Sequence, residues 1–295
     1  MTVILTENLT KFYGEHTGIK NINLHINSGE IFGLVGANGA GKSTLLKTLL
    51  NFLHPGSGKA TILGLDIVTQ SAQIKKKVGY VPADVRYYTC LTGEELLRYT
   101  LRFHGRKDDE SIYTLAEKFQ LDIRKKIQKL STGNKKKVAI LSALIHDPEL
   151  LIMDEPTSGL DPLIKNIFFD LLEERRQKGL CVLVSGHNLD EIQEYCNRVA
   201  LLGEGEIIDI KDNAQASAAE KAKKVILLCK DIPLGLLKEL AGDSLKIKGE
   251  RFTFDYSGNI EQLLAVLSQY TIEDIAIANM DLEQMFLQYY KVKKP

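Results

Sequence analysis

A glycine-rich segment, GANGAGKST at residues 36–44, limits the possible folds of this chain more than any other feature. It fits the pattern G-x-x-x-x-G-K-S/T, in which amide N–H groups surround a phosphate chain, a lysine adds positive charge and a hydroxyl ligates magnesium. An apolar strand at 31–35 precedes it and a helical leucine pattern at 45–53 follows it. Because a helix N-terminus also attracts anions, the segment is predicted to bind phosphate groups. The predicted ligand-binding residues are Gly36, Asn38, Gly39, Gly41, Lys42, Ser43 and Thr44, and Ser43 is also a predicted metal ligand.

A second motif supplies the acidic groups that a nucleotide-hydrolysing site requires. The apolar run at 150–153 ends in Asp154 and Glu155, which predicts a buried strand with both carboxylates at its carboxyl end. Asp154 is predicted to hold magnesium and Glu155 to polarise the attacking water. An apolar strand that ends in Asp-Glu is common by itself, so this assignment depends on the phosphate-binding segment in the same chain.

The spacing of apolar residues predicts an α/β fold. Strands are predicted at 3–9, 22–26, 31–35, 150–153 and 180–184, and a helix at 162–177. From 91 to 143 the pattern is almost wholly helical, which predicts an all-helical insertion at about residues 85–145. The predicted body is therefore an α/β core with antiparallel N-terminal strands and a helical subdomain.

A polar, alanine-rich stretch at 211–224 marks a change in composition. We predict a nucleotide-binding domain at 1–212, a linker at 213–224 and a small accessory α+β domain at 225–295. The order of predicted elements in the last domain is β-α-β-β-α-β, the split unit of ferredoxin-like domains, followed by a helix at 281–290. The alternative is an irregular appendage packed on the body.

Composition and charge disfavour several classes of protein. Lys plus Arg and Asp plus Glu both number 38, so the formal net charge is zero and a strongly basic nucleic-acid binder is not expected. No apolar stretch approaches the ~18 residues that span a bilayer, and the N-terminus lacks a secretory leader pattern. The four cysteines show no C-x-x-C spacing, which favours reduced thiols over a zinc site or disulfides. We expect a cytoplasmic protein that does not cross a membrane by itself.

Between the two motifs lies LSTGN at 130–134, which resembles the L-S-G-G-Q signature of ATP-binding cassette (ABC) ATPases. The segments DEPT at 154–157 and SGLD at 158–161, and then His187, follow in the order of that family. The resemblance runs from about residue 3 to residue 210. It implies a P-loop NTPase fold, ATP and Mg²⁺ as ligands, and hydrolysis of ATP.

The resemblance also implies roles for residues outside the two motifs. Tyr13 matches the aromatic residue that stacks on adenine, although half-buried packing beside Phe12 is an alternative. Ser131 and Gly133 match the signature residues that cap the γ-phosphate bound by the other subunit. Asp161 belongs to the loop that links the two subunits, and His187 matches the histidine that contacts the γ-phosphate. A homodimer around two nucleotides is therefore expected.

Two departures from the family pattern bear on activity. Thr132 and Asn134 replace the usual Gly and Gln of the signature, and a β-branched side chain is introduced where backbone approaches phosphate. Ala83 stands where the family usually has a metal-sensing Gln, and Asp84 is the predicted substitute as a metal ligand.

Two surfaces of the helical insertion allow more than one interpretation. The lysine-rich stretch at 124–137 could bind nucleic acid, but a solvated helical face is favoured because no aromatic residue interleaves with the lysines. The insertion also contains four aromatic residues, Tyr87, Tyr88, Tyr99 and Phe103. Two interpretations are open: they line a groove that receives a membrane subunit, or they pack in the core.

The leading hypothesis is an ABC transport subunit on the inner face of the cell membrane, which drives a separately encoded permease. The tail at 281–290 resembles that of the drug- and lantibiotic-export branch and favours export. A soluble ABC protein acting on ribosomes or DNA fits less well, because one cassette with 112 positions between Lys42 and Asp154 leaves no room for a long coiled coil. A nucleotide sensor with weak hydrolysis is a further alternative that the altered signature keeps open.

Overall fold

In a computed structural model, the chain is described at residues 1–85, 90–187, 189–212 and 223–279. It divides into two compact units, Met1–Asn213 and Ala214–Pro295. The strands of the first unit are β1 (Thr2–Tyr13), β2 (His16–Asn27), β3 (Ile31–Val35), β4 (Ser57–Ile62), β5 (Leu65–Asp66), β6 (Val78–Val81), β7 (Leu150–Asp154), β8 (Cys181–Gly186), β9 (Arg198–Gly203) and β10 (Glu206–Asp212). Its helices are α1 (Lys42–Leu49), α2 (Ser71–Lys75), α3 (Gly93–Phe103), α4 (Glu110–Lys118), α5 (Thr132–Leu144), α6 (Pro162–Gln177) and α7 (Leu189–Tyr195).

Two sheets organise the first unit. One is antiparallel, in the order β2-β1-β4-β5, and the other has the order β10-β9-β3-β8-β7-β6. In the second sheet the neighbours from β9 to β6 pair in parallel, and only β10 runs antiparallel to β9. Strands β3, β7 and most of β8 are buried, as expected for the continuous apolar runs of a parallel sheet. The carboxyl ends of β3, β7 and β8 therefore lie at one edge, where ligands bind in open α/β sheets.

The predicted helical insertion contains α3, α4, α5 and one turn of 3₁₀ helix at Ile127–Lys129. Helix α3 begins with a capping box, in which the Thr92 hydroxyl accepts from the amide N of Glu95 and the Glu95 carboxylate accepts from the amide N of Thr92. Contacts from α3 and α4 to α5 hold the three helices together. Helix α5 is mostly buried along its length, so it forms the centre of the insertion.

The second unit contains β11 (Lys223–Cys229), α8 (Leu234–Ala241), β12 (Lys246–Lys248), β13 (Arg251–Tyr256), α9 (Ile260–Leu267) and β14 (Ile272–Asn279). A 3₁₀ turn at Gly242–Ser244 follows α8. The antiparallel sheet has the order β12-β13-β11-β14, which is that of the split β-α-β unit. Its core includes Val225, Leu227, Phe254, Leu237 and Leu263, all essentially inaccessible to solvent.

The α/β fold class with antiparallel N-terminal strands is confirmed, and the helix at Pro162–Gln177 has the predicted bounds. The stretch at 211–224 is partly strand, because β10 reaches Asp212 and β11 starts at Lys223. The helix expected at 281–290 lies outside the described residues. Within the described ranges, none of the helices combines the length and apolar character that crossing a membrane would need.

Candidate active site

The phosphate loop joins the carboxyl end of β3 to the N-terminus of α1 in a backbone conformation that requires glycine. Gly39 and Gly41 have φ angles of 84° and 105°, in the left-handed region. A Cβ atom on Gly41 would lie 2.4 Å from the carbonyl O of Gly18, and one on Gly36 would lie 2.4 Å from the carbonyl O of Leu202. No side chain caps the start of α1, so its first amide N–H groups remain for an anion.

Lys42 is buried, with 5% of its surface exposed, and its ammonium lies inside the curve of the loop. Its Nζ donates to the carbonyl O of Gly36 at 2.6 Å and of Ala37 at 3.2 Å. Burial lowers the pKa of Lys42, and attraction to Glu155 and Asp154 opposes that change. The loop therefore places a cation close to the predicted catalytic carboxylates.

One residue of the neighbouring strand bonds to both Asp154 and Glu155. Asp154, 1% exposed, accepts a hydrogen bond of 2.6 Å from the Ser185 hydroxyl at its Oδ1. The amide N of Glu155 donates to the same hydroxyl oxygen at 3.1 Å and to the carbonyl O of Ser185 at 3.2 Å. Glu155 has a φ angle of 46°, an uncommon value for a side-chain-bearing residue. The buried Ser185 thus orients the Asp154 carboxylate and holds the backbone of Glu155.

Ser185 was missed in the sequence analysis. It is the one polar residue inside the apolar run of β8, directly opposite Asp154 in the parallel register. A buried hydroxyl requires a hydrogen-bond partner. A serine inside this apolar run was therefore the sequence signal for a polar contact in the core.

His187 follows β8 and lies beside Glu155. Its Nδ1 is 3.5 Å from the Glu155 Oε2, and its side chain is 64% exposed. The imidazole is therefore accessible to solvent, and it lies next to the predicted base.

The predicted metal ligands have the chemistry that magnesium requires. A protein commonly offers Mg²⁺ one or two carboxylates, with phosphates and water as the remaining ligands. Ser43 is half-buried and Asp154 keeps one carboxylate oxygen beyond its bond to Ser185. In the described part of the chain no group of three His, Cys, Asp or Glu residues could hold a metal alone, so phosphate oxygens would have to complete the coordination.

Tyr13 lies near the phosphate loop at the end of β1. Its hydroxyl is 3.5 Å from the Thr44 Oγ1, and its ring lies against Gly18, where an added Cβ would be 2.8 Å from the ring carbon Cε2. The residue is 45% exposed, so one part of the ring packs and the rest faces solvent. The exposed part of the Tyr13 ring therefore lies beside Thr44 of the phosphate loop.

The signature segment forms the N-terminus of α5. Ser131 is the N-cap, and its hydroxyl accepts from the amide N of Asn134 at 3.2 Å. A Cβ on Gly133 would lie 2.6 Å from the carbonyl O of Gly159, so the signature packs against the loop at 158–161. Thr132 is exposed as the first residue of the helix. The glycine that the packing requires is thus retained, and of the two substituted positions Thr132 is exposed and Asn134 is half-buried.

The loop at 158–161 ends in the cap of α6. Asp161 accepts from the amide N of Ile164 at 3.0 Å through its Oδ1, and its Oδ2 lies 4.0 Å from the Lys137 Nζ. The signature helix therefore contacts this loop through both Gly133 and Lys137.

The interpretation of the lysine-rich stretch as a solvated face is wrong at two of its positions. Lys136 and Lys137 are 4% and 7% exposed. Both face inward because α5 is central to the insertion, and Lys136 donates to the carbonyl O of Pro82 at 3.0 Å and of Ala83 at 2.9 Å. The signal was the helical stripe of Lys136, Ile140 and Leu144, in which the last two are fully buried.

The site residues therefore fall into two groups. Lys42, Asp154, Glu155 and His187 meet at the carboxyl edge of the six-stranded sheet, with Tyr13 beside the loop. Ser131 and Gly133 lie with Asp161 in the second group, and no hydrogen bond or ion pair among the described residues joins Ser131 to the phosphate loop. Asp84 is exposed, and its charge opposes the lowering of the Lys136 pKa by burial. Tyr87 and Tyr88 lie outside the described residues.

Comparison with known proteins places this fold and site in one class. The family model described as "ABC transporter" matches residues 19–158. The probable multidrug ABC transporter ATP-binding protein YbhF of Escherichia coli K12 is 37% identical over 212 residues, which is 70% of this chain and 36% of that protein. The linearmycin resistance ATP-binding protein LnrL of Bacillus subtilis is 35% identical over 213 residues, which is 70% of this chain and 68% of LnrL.

Solved structures agree with the sequence comparison. The dimeric structure of MJ0796, a bacterial ABC transporter cassette, superposes with a TM-score of 0.67 at 26% identity and covers 71% of this chain and 98% of that one. A phosphate loop, an acidic strand end and a signature helix on such a cassette define an ATP-binding ATPase. The chain belongs to the ABC transporter family, as the signature segment predicted. It spans about a third of the length of YbhF.

Proposed function

We propose that this chain is the ATP-hydrolysing subunit of an ABC transporter, which dimerises around two ATP-Mg²⁺ and drives export through a separate membrane permease. The observation that carries the proposal is the arrangement of Ser185, Asp154 and Glu155 beside the buried ammonium of Lys42. It supplies a cation for the phosphates, a carboxylate for the metal and a second carboxylate for water.

The residues divide the work of hydrolysis. Lys42 and the amide groups at the start of α1 bind the phosphate chain, and Tyr13 stacks on the adenine. Ser43 and Asp154 would hold Mg²⁺, which neutralises phosphate charge when bound. Glu155 accepts the proton of the attacking water, and His187 donates a hydrogen bond to the γ-phosphate. These residues come from the carboxyl ends of β7 and β8, from the start of α1 after β3, and from the end of β1 at Tyr13.

Two copies are needed to complete each site. Ser131 is exposed at a helix N-terminus and lies apart from the phosphate loop of its own chain, so it is available to a nucleotide on a second copy. The dimeric structure of the related cassette MJ0796 supports this assignment. ATP binds the closed pair better than ADP does, and that difference lets hydrolysis open it.

The permease partner is supported by exposed aromatic residues on the helical insertion. Tyr99 and Phe103 lie one helical turn apart on α3 and are 66% and 70% exposed, so neither packs in the core. We assign them to the surface that receives the membrane subunit on the inner face of the cell membrane. Replacing both with Ser should reduce recovery of the chain with membranes at least fivefold and leave ATP turnover within twofold. Unchanged recovery would remove these residues from the docking surface.

The direction of transport is supported by the relatives and by the tail. The names of YbhF and LnrL refer to multidrug transport and to linearmycin resistance. The sequence at 281–290 resembles that of drug and lantibiotic exporters. Export of a drug, peptide or lantibiotic is accordingly the proposed activity.

The proposal is tested with Glu155→Gln in the full chain. This variant should bind ATP with wild-type affinity, accumulate as an ATP-dependent dimer and lose turnover by at least about a hundredfold, because no base activates the water. Glu149→Gln is the matched control, since it makes the same change at the opposite end of β7, where Glu149 is exposed and pairs with Lys77. Wild-type turnover in Glu155→Gln would refute the assignment.

A further inference from the structure

Lys136 presents a buried charge that the proposed reaction leaves unexplained. Its side chain comes from the second turn of α5, and only 4% of the residue is exposed. Burial of an ammonium is costly unless it is paired and hydrogen-bonded. The partners are two consecutive backbone carbonyls, of Pro82 at 3.0 Å and of Ala83 at 2.9 Å.

The segment that Lys136 holds is the loop that leaves β6. This strand pairs in parallel with β7, and its last residue, Val81, lies opposite Met153, which precedes Asp154. The loop therefore leaves the sheet at the same edge as the catalytic carboxylates. It contains Asp84, the residue predicted as a metal ligand.

The charges around the ammonium identify the same place. Burial lowers the pKa of Lys136, whereas Asp154, Glu155 and Asp84 act in the opposite direction, in that order of strength. Lys136 is thus close enough to the hydrolytic carboxylates to be attracted by them, while its hydrogen bonds go to the loop.

The position of Lys136 in α5 links this contact to the signature. Ser131 caps the N-terminus of the same helix, five positions earlier, and Gly133 packs against the loop at 158–161. A helix turn is rigid over that distance, so a displacement of the loop after β6 would move the Ser131 hydroxyl with it. The Lys136 side chain thus joins α5, whose Ser131 is proposed to contact the partner's nucleotide, to the loop after β6. That loop lies beside the carboxylates of the same chain.

We propose that Lys136 is a positioning residue for ATP hydrolysis. Its ammonium binds the Pro82–Ala83 backbone to the signature helix and so fixes the position of Ser131 relative to the Asp154 and Glu155 carboxylates. The inference rests on the proposed function and names a residue that the ABC signature does not assign. Lys136 binds neither nucleotide nor metal in this role. It acts through the loop and through α5.

The test compares Lys136→Met, Lys136→Arg and the matched control Lys135→Met in the full chain. Methionine keeps the length and apolar stem but removes the charge and both donors, and arginine retains charge and donors. Lys136→Met should lower kcat about tenfold or more, with the Kd for ATP within about twofold of wild type. Lys136→Arg should recover most of that loss. Lys135→Met, on the same helix, should turn over ATP within twofold of wild type.

Several outcomes would overturn the inference. Wild-type kcat in Lys136→Met would do so, as would a loss in Lys136→Arg equal to that in Lys136→Met when both have the wild-type Tm. If Lys136→Met does not fold, Lys136→Gln replaces it, because the amide keeps two donors without charge, and an unchanged kcat there would refute a role for the charge. Absence of turnover in the wild-type chain would instead refute the proposed function, which separates the two failures.

Discussion

The phosphate loop and the signature segment both place a turn containing glycine at the start of a helix, but they present that helix end differently. At α1 the N-cap is Gly41, and no side chain occupies the free amide groups. At α5 the hydroxyl of Ser131 already accepts from Asn134. No side chain satisfies the free amide groups at the first terminus, whereas at the second one amide group is satisfied within the chain.

The surroundings of the two segments reinforce this contrast. The phosphate loop has the buried Lys42 and, beside it, the buried Asp154, whereas Ser131 is exposed. A buried, charged pocket can bind a triphosphate by itself. An exposed, self-capped helix end adds to a site formed elsewhere, and a Ser hydroxyl can accept from its own helix while donating to a phosphate. Variants of the first should thus change binding, and variants of the second should change turnover.

The largest effect is expected from Lys42→Ala. Loss of the ammonium and of its stem removes the charge that faces the outer phosphates, and we expect the Kd for ATP to rise about a hundredfold or more. Lys47→Ala, a change on the exposed side of the same helix, is the control and should leave the Kd within twofold. Titration with a fluorescent ATP analogue measures both. Equal affinities of Lys42→Ala and wild type would contradict the binding role of the loop.

Ser131→Ala should give the next largest effect and should separate the two segments. ATP affinity of the isolated subunit should stay within about twofold, while turnover falls about tenfold because one donor to the partner's γ-phosphate is lost. Steady-state ATPase assays over a range of protein concentrations measure kcat and the dimer dependence together. A rise in Kd without a change in kcat would place Ser131 in its own chain's pocket and end the comparison.

Gly133→Ala sharpens the interpretation of the altered signature. The new Cβ would lie 2.6 Å from the carbonyl O of Gly159, so backbone must move, at a cost of about 1–3 kcal/mol. We expect turnover to fall several-fold. The control is Thr132→Gly, at an exposed position, which should change turnover less than twofold. If Thr132→Gly raised turnover several-fold, the departure from the family pattern would itself limit activity.

The smallest effect is expected on the pH dependence of stability, through His146 at the end of the helical insertion. His146 follows α5, is 5% exposed and stacks on His104, with ring centroids 3.8 Å apart. Burial lowers the pKa of His146 to about 4, His104 and Arg106 add to that change, and the Ser142 backbone and Asp147 oppose it. Neither ring nitrogen of His146 meets hydrogen-bond geometry with another described residue.

The sign of the pH dependence follows from this lowered pKa. Between about pH 6.5 and pH 4 the unfolded chain binds more protons at His146 than the folded chain does, so the free energy of unfolding falls as the pH falls. By pH 5.5 the loss should be about 1 kcal/mol. Denaturation of wild type and His146→Phe at pH 7.5 and 5.5 measures it, because Phe keeps a ring and cannot titrate. Equal losses in the two proteins would show that His146 does not contribute.

Part of the site was predictable from local sequence because its determinants are local. The glycines at 36, 39 and 41 fix a turn between one strand and the next helix, so the spacing alone predicts a phosphate loop. The same holds for Asp154 and Glu155 at the end of an apolar strand. Ser185 and Lys136 could not be assigned in this way, since their partners are 31 and 53 or 54 positions distant along the chain.

The sequence by itself determined the α/β class, the order of elements from β11 to β14 and the chemistry of the phosphate loop, because hydrophobic period and glycine placement act over a few residues. Only the tertiary structure decided which residues surround the carboxylates. Parallel pairing sets Ser185 opposite Asp154. The packing of α5 buries Lys136, whose ammonium then donates to the carbonyl groups of Pro82 and Ala83. The hydrogen-bond partners of Ser185 and Lys136 come from segments that are distant along the chain, so the fold and not a pattern of neighbouring residues brings them together.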